Sequence, residues 1–547
     1  MRRIKVFTSA CLSFTEESLI FVSPINWMLK LNHVKNARSK NDYFWTQPYF
    51  LATSDGYNLP DILEEIEEEQ IDIIFFSIYV WNKKQFLEIA KYLKQKKPNL
   101  IIVAGGPELD AHQDKNFFKT YDFIDWVAYG EGEISTSNLL DFLAGYTMET
   151  PINTVNKNGV VGDHVPLNKK DEILKYSIWV EFKDEIGQWL NYIKEKTSGA
   201  NLTIVWETTK GCPFACTFCD WSSGLHNKVR VWGEKETIPL WKQELDIFSE
   251  LQIPTIYWTN PNVGLTPQDT EIVDYAIDKR GAGEHVPYFV HIQISKIKKE
   301  KSYALMDKLL ENKLSIGVKF DVQDIDLNII ELLDRPEIPW EEHKVLINNL
   351  VSKYRNTDSV LDGVPMNMWM GFMWGLPGQT LENFKTNMSE AGSLGLYSLH
   401  HPFQLLPNTP AARPDYKEKY GIKSKDVYIH MSDQGGTEVY GSITNQEITN
   451  AVVETSALTT KDWFKGVFIY YLYASLQDFI IKNNGRGSMG KEENFVNSCL
   501  NSLDNLMNSS YEHFEKSGRI EIFDDEKTYG FKDWAKNRVD ELSLFFT

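Results

Sequence analysis

Residues 207–221 read ETTKGCPFACTFCDW and place thiols at Cys212, Cys216 and Cys219 in a Cys-x3-Cys-x2-Cys spacing. The run TIVWE at 203–207 leads into them, so the cysteine loop is expected at the carboxyl end of a β-strand. Three thiolates on one loop hold three irons of a 4Fe–4S cluster and leave the fourth without a protein ligand, whereas an electron-transfer cluster normally uses four cysteines. The other two cysteines, Cys11 and Cys499, are remote and are expected to be free thiols. An open iron is a place for substrate or cofactor to bind, as an open coordination position marks catalytic zinc. The competing reading is a structural zinc site with His226 as fourth ligand. Its Cys–His separation is unusual, and it leaves Gly211, Pro213 and Phe218 without a role.

Outward from this loop the chain alternates strand and helix. Strands are expected at 203–207, 255–259, 288–294, 315–321, 366–373 and 397–405, with helical patterns at 241–251, 265–276 and 301–312. Six βα units in this span predict a barrel or an open partial barrel. Upstream, short apolar runs at 4–8, 49–53, 71–79 (IDIIFFSIY), 100–104 (LIIVA) and 126–129 alternate with helices at 60–70 and 84–96. Such runs indicate a doubly wound parallel sheet covered on both faces. Two of its strands end in glycine turns, Gly105-Gly-Pro107 and Gly130-Glu-Gly-Glu133, where ligands of doubly wound sheets bind. The division expected is residues 1–145 for this sheet, 146–200 for a linker, 201–413 for the second series and 414–547 for a mostly helical cap.

Composition bounds the function. The 547 residues are 42% hydrophobic and 13% aromatic, ample for buried cores, and the prior is three to four domains. A formal charge of −19 argues against gripping nucleic acid or an anionic membrane, and no long Lys/Arg run offsets it. It leaves a neutral or cationic small molecule or peptide as the expected substrate. No window approaches the ~20 apolar residues of a membrane span; the richest, 467–481, contains Gln477 and Asp478. A cytoplasmic location, where thiols stay reduced, is expected.

The cysteine spacing at the end of the first strand of a βα series resembles the radical S-adenosylmethionine (SAM) superfamily, and the resemblance extends over residues 203–413. Met373-Trp-Gly-Leu-Pro-Gly-Gln-Thr380 is similar to that family's turn after the fifth strand. Val322-Gln-Asp324 resembles the fourth-strand tip that faces the SAM ribose, and Leu406-Pro-Asn-Thr-Pro410 the sixth-strand end. The family's glycine-rich segment after the second strand is absent, and Thr259-Asn-Pro-Asn-Val-Gly264 takes its place. The resemblance implies SAM contacts from Phe218, Asn260, Asn262, Gln323, Gly375 and Pro377; the two asparagines are equally turn formers. The sheet before the barrel resembles the cobalamin-binding domain of one radical SAM class. It implies corrin contacts from Ser77, Tyr79, Trp81, Asn82, Gly105, Gly106, Pro107, Gly130, Glu131, Gly132 and Glu133. The Asp-x-His-x-x-Gly motif that ligates cobalt in mutase-type domains is missing; Asp110-Ala-His112 is a partial echo, expected to be a surface helix start.

The fold class implied is α/β: a Rossmann-like cobalamin-binding sheet, a partial (βα)6 TIM-type radical SAM barrel and a mainly helical C-terminal region. The implied cofactors are a 4Fe–4S cluster, SAM and cobalamin, with a low-potential donor such as flavodoxin or ferredoxin. The implied reaction is removal of a substrate hydrogen by a 5′-deoxyadenosyl radical, then methyl transfer from methylcobalamin to carbon of a small molecule or peptide. A non-methylating rearrangement, ring contraction or cyclisation on the same cofactors is the alternative. A cobalamin or Fe–S sensor is the alternative from another class. The acidic run 64–69 is expected to be a solvated helix face. His400-His401 lines a pocket or serves as scaffold. Met366, Met368, Met370 and Phe372 share one strand face, expected to be core.

Overall fold

The apolar runs of the first 130 residues form the strands of a parallel sheet in a computed structural model of the chain. The structure describes residues 1–10, 19–52, 57–168, 171–197, 201–222, 229–233, 238–290, 292, 294, 296–315, 317–354, 367–431, 437–438, 447–467, 469–470 and 504–517. Cys11, Cys499, His226 and Met366 fall outside these residues, as does most of 467–481. The elements of the first part are β1 (Arg2–Ala10), β2 (Leu19–Val22), β3 (Tyr43–Trp45), β4 (Tyr49–Ala52), β5 (Ile73–Ser77), β6 (Ile101–Gly105), β7 (Trp126–Ala128) and β8 (Thr154–Asn156). The sheet runs β3-β1-β5-β6-β7-β8, and β4 continues the β3 edge along the far half of β1. Only β8 is antiparallel. Ile74, Phe76, Ile102 and Ala104 pack on one face with Ile62, Phe86 and Ile89 of the helices Leu59–Glu68 and Lys83–Lys96. Ile73, Phe75 and Val103 pack on the other with Leu29, Leu139 and Leu140 of the helices Ile25–Asn36 and Gly132–Leu143. Covering on both faces is why these strands read as continuous apolar runs.

The second series comprises β9 (Asn201–Trp206), the short ribbon β10 (Thr209–Lys210) with β11 (Arg230–Val231), then β12 (Thr255–Trp258), β13 (Tyr288–Val290), β14 (Gly317–Gln323), β15 (Asn367–Trp374) and β16 (Tyr397–Pro402). Strands β9, β12 and β13 pair in parallel, as do β14, β15 and β16, and a parallel bridge from Phe289 to Ser315 links the two groups. Six strands thus follow one another in chain order. Ile204, Ile256, Phe289, Val318, Phe320, Met368, Met370 and Phe372 share one core with the flanking helices. The expected core role of Met368, Met370 and Phe372 holds. Helix Leu381–Ser393 starts at once after the Gly-Leu-Pro-Gly turn because Thr380 and Asn383 form a capping box.

Three features differ from the expected division. Strand β2, near the N-terminus, pairs in parallel with β9 and so extends the second sheet. Residues 146–200, read as a linker, contain β8 on the first sheet, and helix Lys183–Lys196 buries Ile186, Trp189, Leu190 and Ile193 in the second core. Their apolar spacing needs a partner surface far away in sequence. The region after 414, read as mostly helical, has an antiparallel sheet of β17 (Lys423–Met431), β18 (Thr437–Glu438) and β19 (Glu447–Glu454). Backbone hydrogen bonds between Phe403 and Val452 and between Leu405 and Asn450 dock it against the chain leaving β16. The helix Asp504–Ser517 follows. The acidic run is also more than a solvated face: Glu65 and Glu69 each lie 2.7 Å from the buried Lys5 ammonium. Among the described residues, no helix is long and apolar enough to cross a membrane.

Candidate active site

The carboxyl ends of the two parallel sheets meet. Asn408, in the turn after β16, donates to the carbonyls of Pro107 (3.2 Å) and Leu109 (3.3 Å) beyond β6. Tyr79, beyond β5, lies within electrostatic reach of Lys210, Glu207 and Asp220, which border the cysteine loop. The expected corrin segments and the cysteines are therefore brought together.

Cys212 and Cys216 are buried and Cys219 is partly so; none of the three is in a disulfide. Burial pushes the Cys219 thiol up to about 11 and raises Cys216 as well, with Lys296 the first cation opposing both. Buried thiols of this kind become thiolates when a metal compensates the charge. Asn262 donates to Cys212 Sγ at 3.1 Å, and Lys296 donates to Asn262 Oδ1 at 3.3 Å. Among the described residues, no group of three His, Cys, Asp or Glu side chains shares a single-ion position. A cluster spreads its thiolates over separate irons, and three largely buried sulfurs on one loop fit that group.

The expected SAM residues divide. Phe218 packs against the apolar cluster that includes Ile329, Leu376 and Phe403, joining the cysteine loop to the strand tips. Gln323 holds φ +72° at a register shift in β14, a bulge that re-aims a side chain at a strand end. Beside it the buried Asp324 accepts from Gln379 (2.7 Å) and Asn387 (3.0 Å); burial raises its pKa to about 6 against those bonds. Gln379 Oε1 accepts from the amides of Gly375 and Leu376, so the β14 and β15 tips are one hydrogen-bonded unit, with Pro377 buried in it. Gly375 is needed for another reason: at φ +95°, a Cβ there would lie 2.8 Å from the Val452 carbonyl. Of the two readings of Asn260, the hydrogen bonds favour the turn former. Its amide accepts from the backbone of Thr208 and Thr209 and donates to Thr208 Oγ1 and Asp269, which uses its hydrogen-bonding capacity.

The corrin residues divide too. Asn82 donates to Ser9 Oγ (2.7 Å) and to the Ser77 carbonyl, stapling the carboxyl ends of β1 and β5 where the strand order reverses. Tyr79 and Trp81 stack at 4.5 Å, half-exposed. Gly106 has φ +119°, and a Cβ there would meet the Ile78 carbonyl at 2.1 Å; Gly105 lies against Ala128. The close backbone and bare turn at Gly105, Gly106 and Pro107 suit a large ligand. Glu131 and Glu133, expected at the corrin, use their side chains in a clasp between the two sheets. Glu131 pairs with the buried Arg230 at 2.6 Å, and Glu133 with Lys210 at 2.8 Å. Burial disfavours a charged Lys210, but Glu133, Glu207 and Glu131 outweigh it and hold its pKa above the usual range. Gly130 and Gly132 shape this turn, Gly130 at φ +69° and Gly132 against Leu29. His112 sits on a half-buried turn stacked 4.6 Å from Tyr129, not at a surface helix start.

Sequence reasoning missed Lys210, Arg230, Lys296 and Arg335. Lys210 and Arg230 are paired across the β10–β11 ribbon, and their signal is a basic residue on each side of the cysteine motif. Lys296 and Arg335 reach the site only through the fold and leave no local signal.

A cobalamin-type sheet joined to a parallel series that carries a three-cysteine loop is the class these features define, and the comparisons agree. Residues 45–140 match the family model of the B12 binding domain. The chain is 24% identical over 453 residues to the cobalamin-dependent radical SAM methyltransferase TokK of Streptomyces tokunonensis. It is 24% identical over 449 residues to the 2-(S-pantetheinyl)-carbapenam-3-carboxylate methyltransferase of Streptantibioticus cattleyicolor. Each match covers 81% of this chain, which spans 61% of each relative's length. In fold it is similar to the radical SAM methyltransferase TsrM of Kitasatospora setae with cobalamin and a 4Fe–4S cluster (TM-score 0.57, 12% identity, 86% of this chain and 89% of that one). It is also similar to the cobalamin-dependent SAM radical enzyme OxsB with aquacobalamin and SAM (TM-score 0.53, 15% identity, 98% and 75%). The resemblance to cobalamin-dependent radical SAM enzymes is borne out, and the B12 binding domain match falls on the sheet expected to take cobalamin.

Proposed function

We propose that the chain is a radical SAM C-methyltransferase acting on a small molecule or peptide, with residues 1–145 as cobalamin domain, 201–413 as partial barrel and 414–547 as cap. The observation that carries this reading is the meeting of the two sets of strand ends, Asn408 on Pro107 and Leu109 and Lys210 on Glu133. In this reading Cys212, Cys216 and Cys219 hold three irons. Asn262 orients Cys212, and Phe218, Gln323, Gly375 and Pro377 border SAM, with Lys296 placed for a carboxylate. Ser77, Tyr79, Trp81, Asn82, Gly105, Gly106, Pro107, Gly130 and Gly132 border the corrin. When bound, the cluster and SAM supply the electron and the hydrogen-abstracting radical, and cobalamin supplies the methyl group. The chain's part is to orient these groups and exclude water. Electrons come from a low-potential donor of the flavodoxin or ferredoxin kind.

Anaerobic incubation with SAM, a reductant and candidate substrates tests this. The expected products are 5′-deoxyadenosine and S-adenosylhomocysteine together. The first without the second assigns the non-methylating reaction, and neither, with cobalamin bound, assigns a sensor.

A further inference from the structure

The second sheet has one face against its helices and one turned away from them. Pairing in register places Lys319 and Asp321 of β14, Trp369 and Gly371 of β15, and Leu399 and His401 of β16 on the face away from the helices. Charged residues on a strand this buried require a reason. Lys319 Nζ lies 3.4 Å from Asp321 Oδ1, with Lys319 at 9% and Asp321 at 21% side-chain exposure. His401 adjoins them: Lys319 and Asp321 are the charged groups that act on its ring. Both its ring nitrogens are closed off from solvent and have no hydrogen-bond partner among the described residues. A buried imidazole left in this state costs stability unless a water or a ligand completes it. Its neighbour His400 differs, lying on the other face with Nε2 2.7 Å from Ser398 Oγ and its ring stacked on Phe372.

Two further observations point to a ligand and to its charge. Gly371 is small because space is needed: a Cβ there would fall 2.8 Å from Asp321 Oδ1 and 3.3 Å from Lys319 Cε. A glycine in mid-strand otherwise weakens a sheet. The ionic contacts around the pair also carry an excess of positive charge in a chain of net charge −19. Lys319 meets Asp321, Arg335 donates to the Asp321 carbonyl at 2.9 Å, and Glu337 is shared by Arg335 and Lys299. Three cations thus face two carboxylates. Arg335 is also among the cations acting on Cys216, so the cluster of charges borders the cysteine loop.

We propose that Lys319 and His401 bind a carboxylate of the substrate, with Asp321 and Gly371 holding the lysine in place. This rests on the reading that the enzyme's substrate lies between its cofactors, and it deepens that reading by naming the substrate's chemical class. The neutral imidazole donates one N–H to the carboxylate and the lysine supplies the charge. Asp321 is two residues below Gln323 on the same strand, roughly 7 Å at the usual rise. A substrate anchored there extends its carbon skeleton towards the tips of β14 and β15. The whole-chain charge suggested a neutral or cationic substrate; the local charges favour an anionic group.

The test uses the full chain without turnover, with benzoate and the isosteric neutral benzamide as probes. Binding is followed by the side-chain nitrogen NMR signals of His401, assigned through His401→Gln. Benzoate is expected to shift the His401 signals and to bind at least ten-fold more tightly than benzamide. Lys319→Met is expected to abolish that preference, and Lys319→Arg to restore it. Equal affinity for the two probes, a preference retained in Lys319→Met, or unshifted His401 signals with both would overturn the proposal. Because no iron chemistry is read, that failure is distinct from failure to cleave SAM.

Discussion

The two parallel sheets are made from the same alternation of strand and helix, yet they differ in what their second faces carry. In the first, both faces of β5 and β6 are apolar and covered, by one pair of helices on each side. In the second, the large apolar core lies on one face, and the other carries Thr203, Thr255, Lys319, Asp321 and His401 beside a small apolar cluster of Phe21, Tyr257 and Val290. A sheet closed on both faces presents a ligand site only at its strand ends. A sheet closed on one face offers strand ends and an interior surface as well. The first sheet is therefore suited to hold a large group at its rim, and the second to surround a substrate.

The comparison is broken most severely by removing the thiols. Replacing Cys212, Cys216 and Cys219 together by Ala should reduce bound iron and 5′-deoxyadenosine formation to background and leave cobalamin binding intact, as iron analysis and corrin absorbance would register. Loss of cobalamin along with iron would mean that the two sheets do not act as separate sites. The clasp between them is next. Arg230→Met strands the buried Glu131 and should cost about 3–5 kcal/mol of stability in denaturant unfolding.

A carboxyl on the helix-covered face sharpens the contrast. Glu244 accepts from Ser177 Oγ (2.5 Å) and Trp206 Nε1 (2.7 Å). Burial raises its pKa from 4.5 to about 7 against those two bonds. Its folded-state pKa is the higher one, so its contribution is fully present below pH 4.5 and is lost as pH rises to about 7. The loss is roughly 1.4 kcal/mol per pH unit across that window. Glu244→Gln should flatten the stability profile there, as thermal unfolding at pH 5 and pH 8 would reveal. The smallest effect is expected at the first sheet's rim. Gly106→Ala forces a Cβ against Ile78 at a positive φ and should cost on the order of 1–3 kcal/mol, with weaker cobalamin retention in equilibrium dialysis.

What could be read from sequence was what is local. Ile73–Ser77 and Ile101–Gly105 were legible because continuous apolar runs have few other uses. The cysteine loop was legible because its three thiols lie within eight residues. Leu19–Val22 was not, since its partner is β9, far along the chain. The ion pairs of Glu131 and Glu133 were not legible because their partners, Arg230 and Lys210, come close only when the sheets meet. The alternation in Lys319-Phe-Asp321 was visible, but its meaning depends on which face the helices cover.

The central claim is that cobalamin and cluster face each other at the joined strand ends. The most direct measurement is the electron paramagnetic resonance of cob(II)alamin in the loaded protein with the cluster oxidised and then reduced. Facing sites predict that cluster reduction broadens the cobalt signal and speeds its relaxation, and that the triple cysteine variant lacks this change. A cobalt signal indifferent to a cluster shown to be reduced would contradict the account.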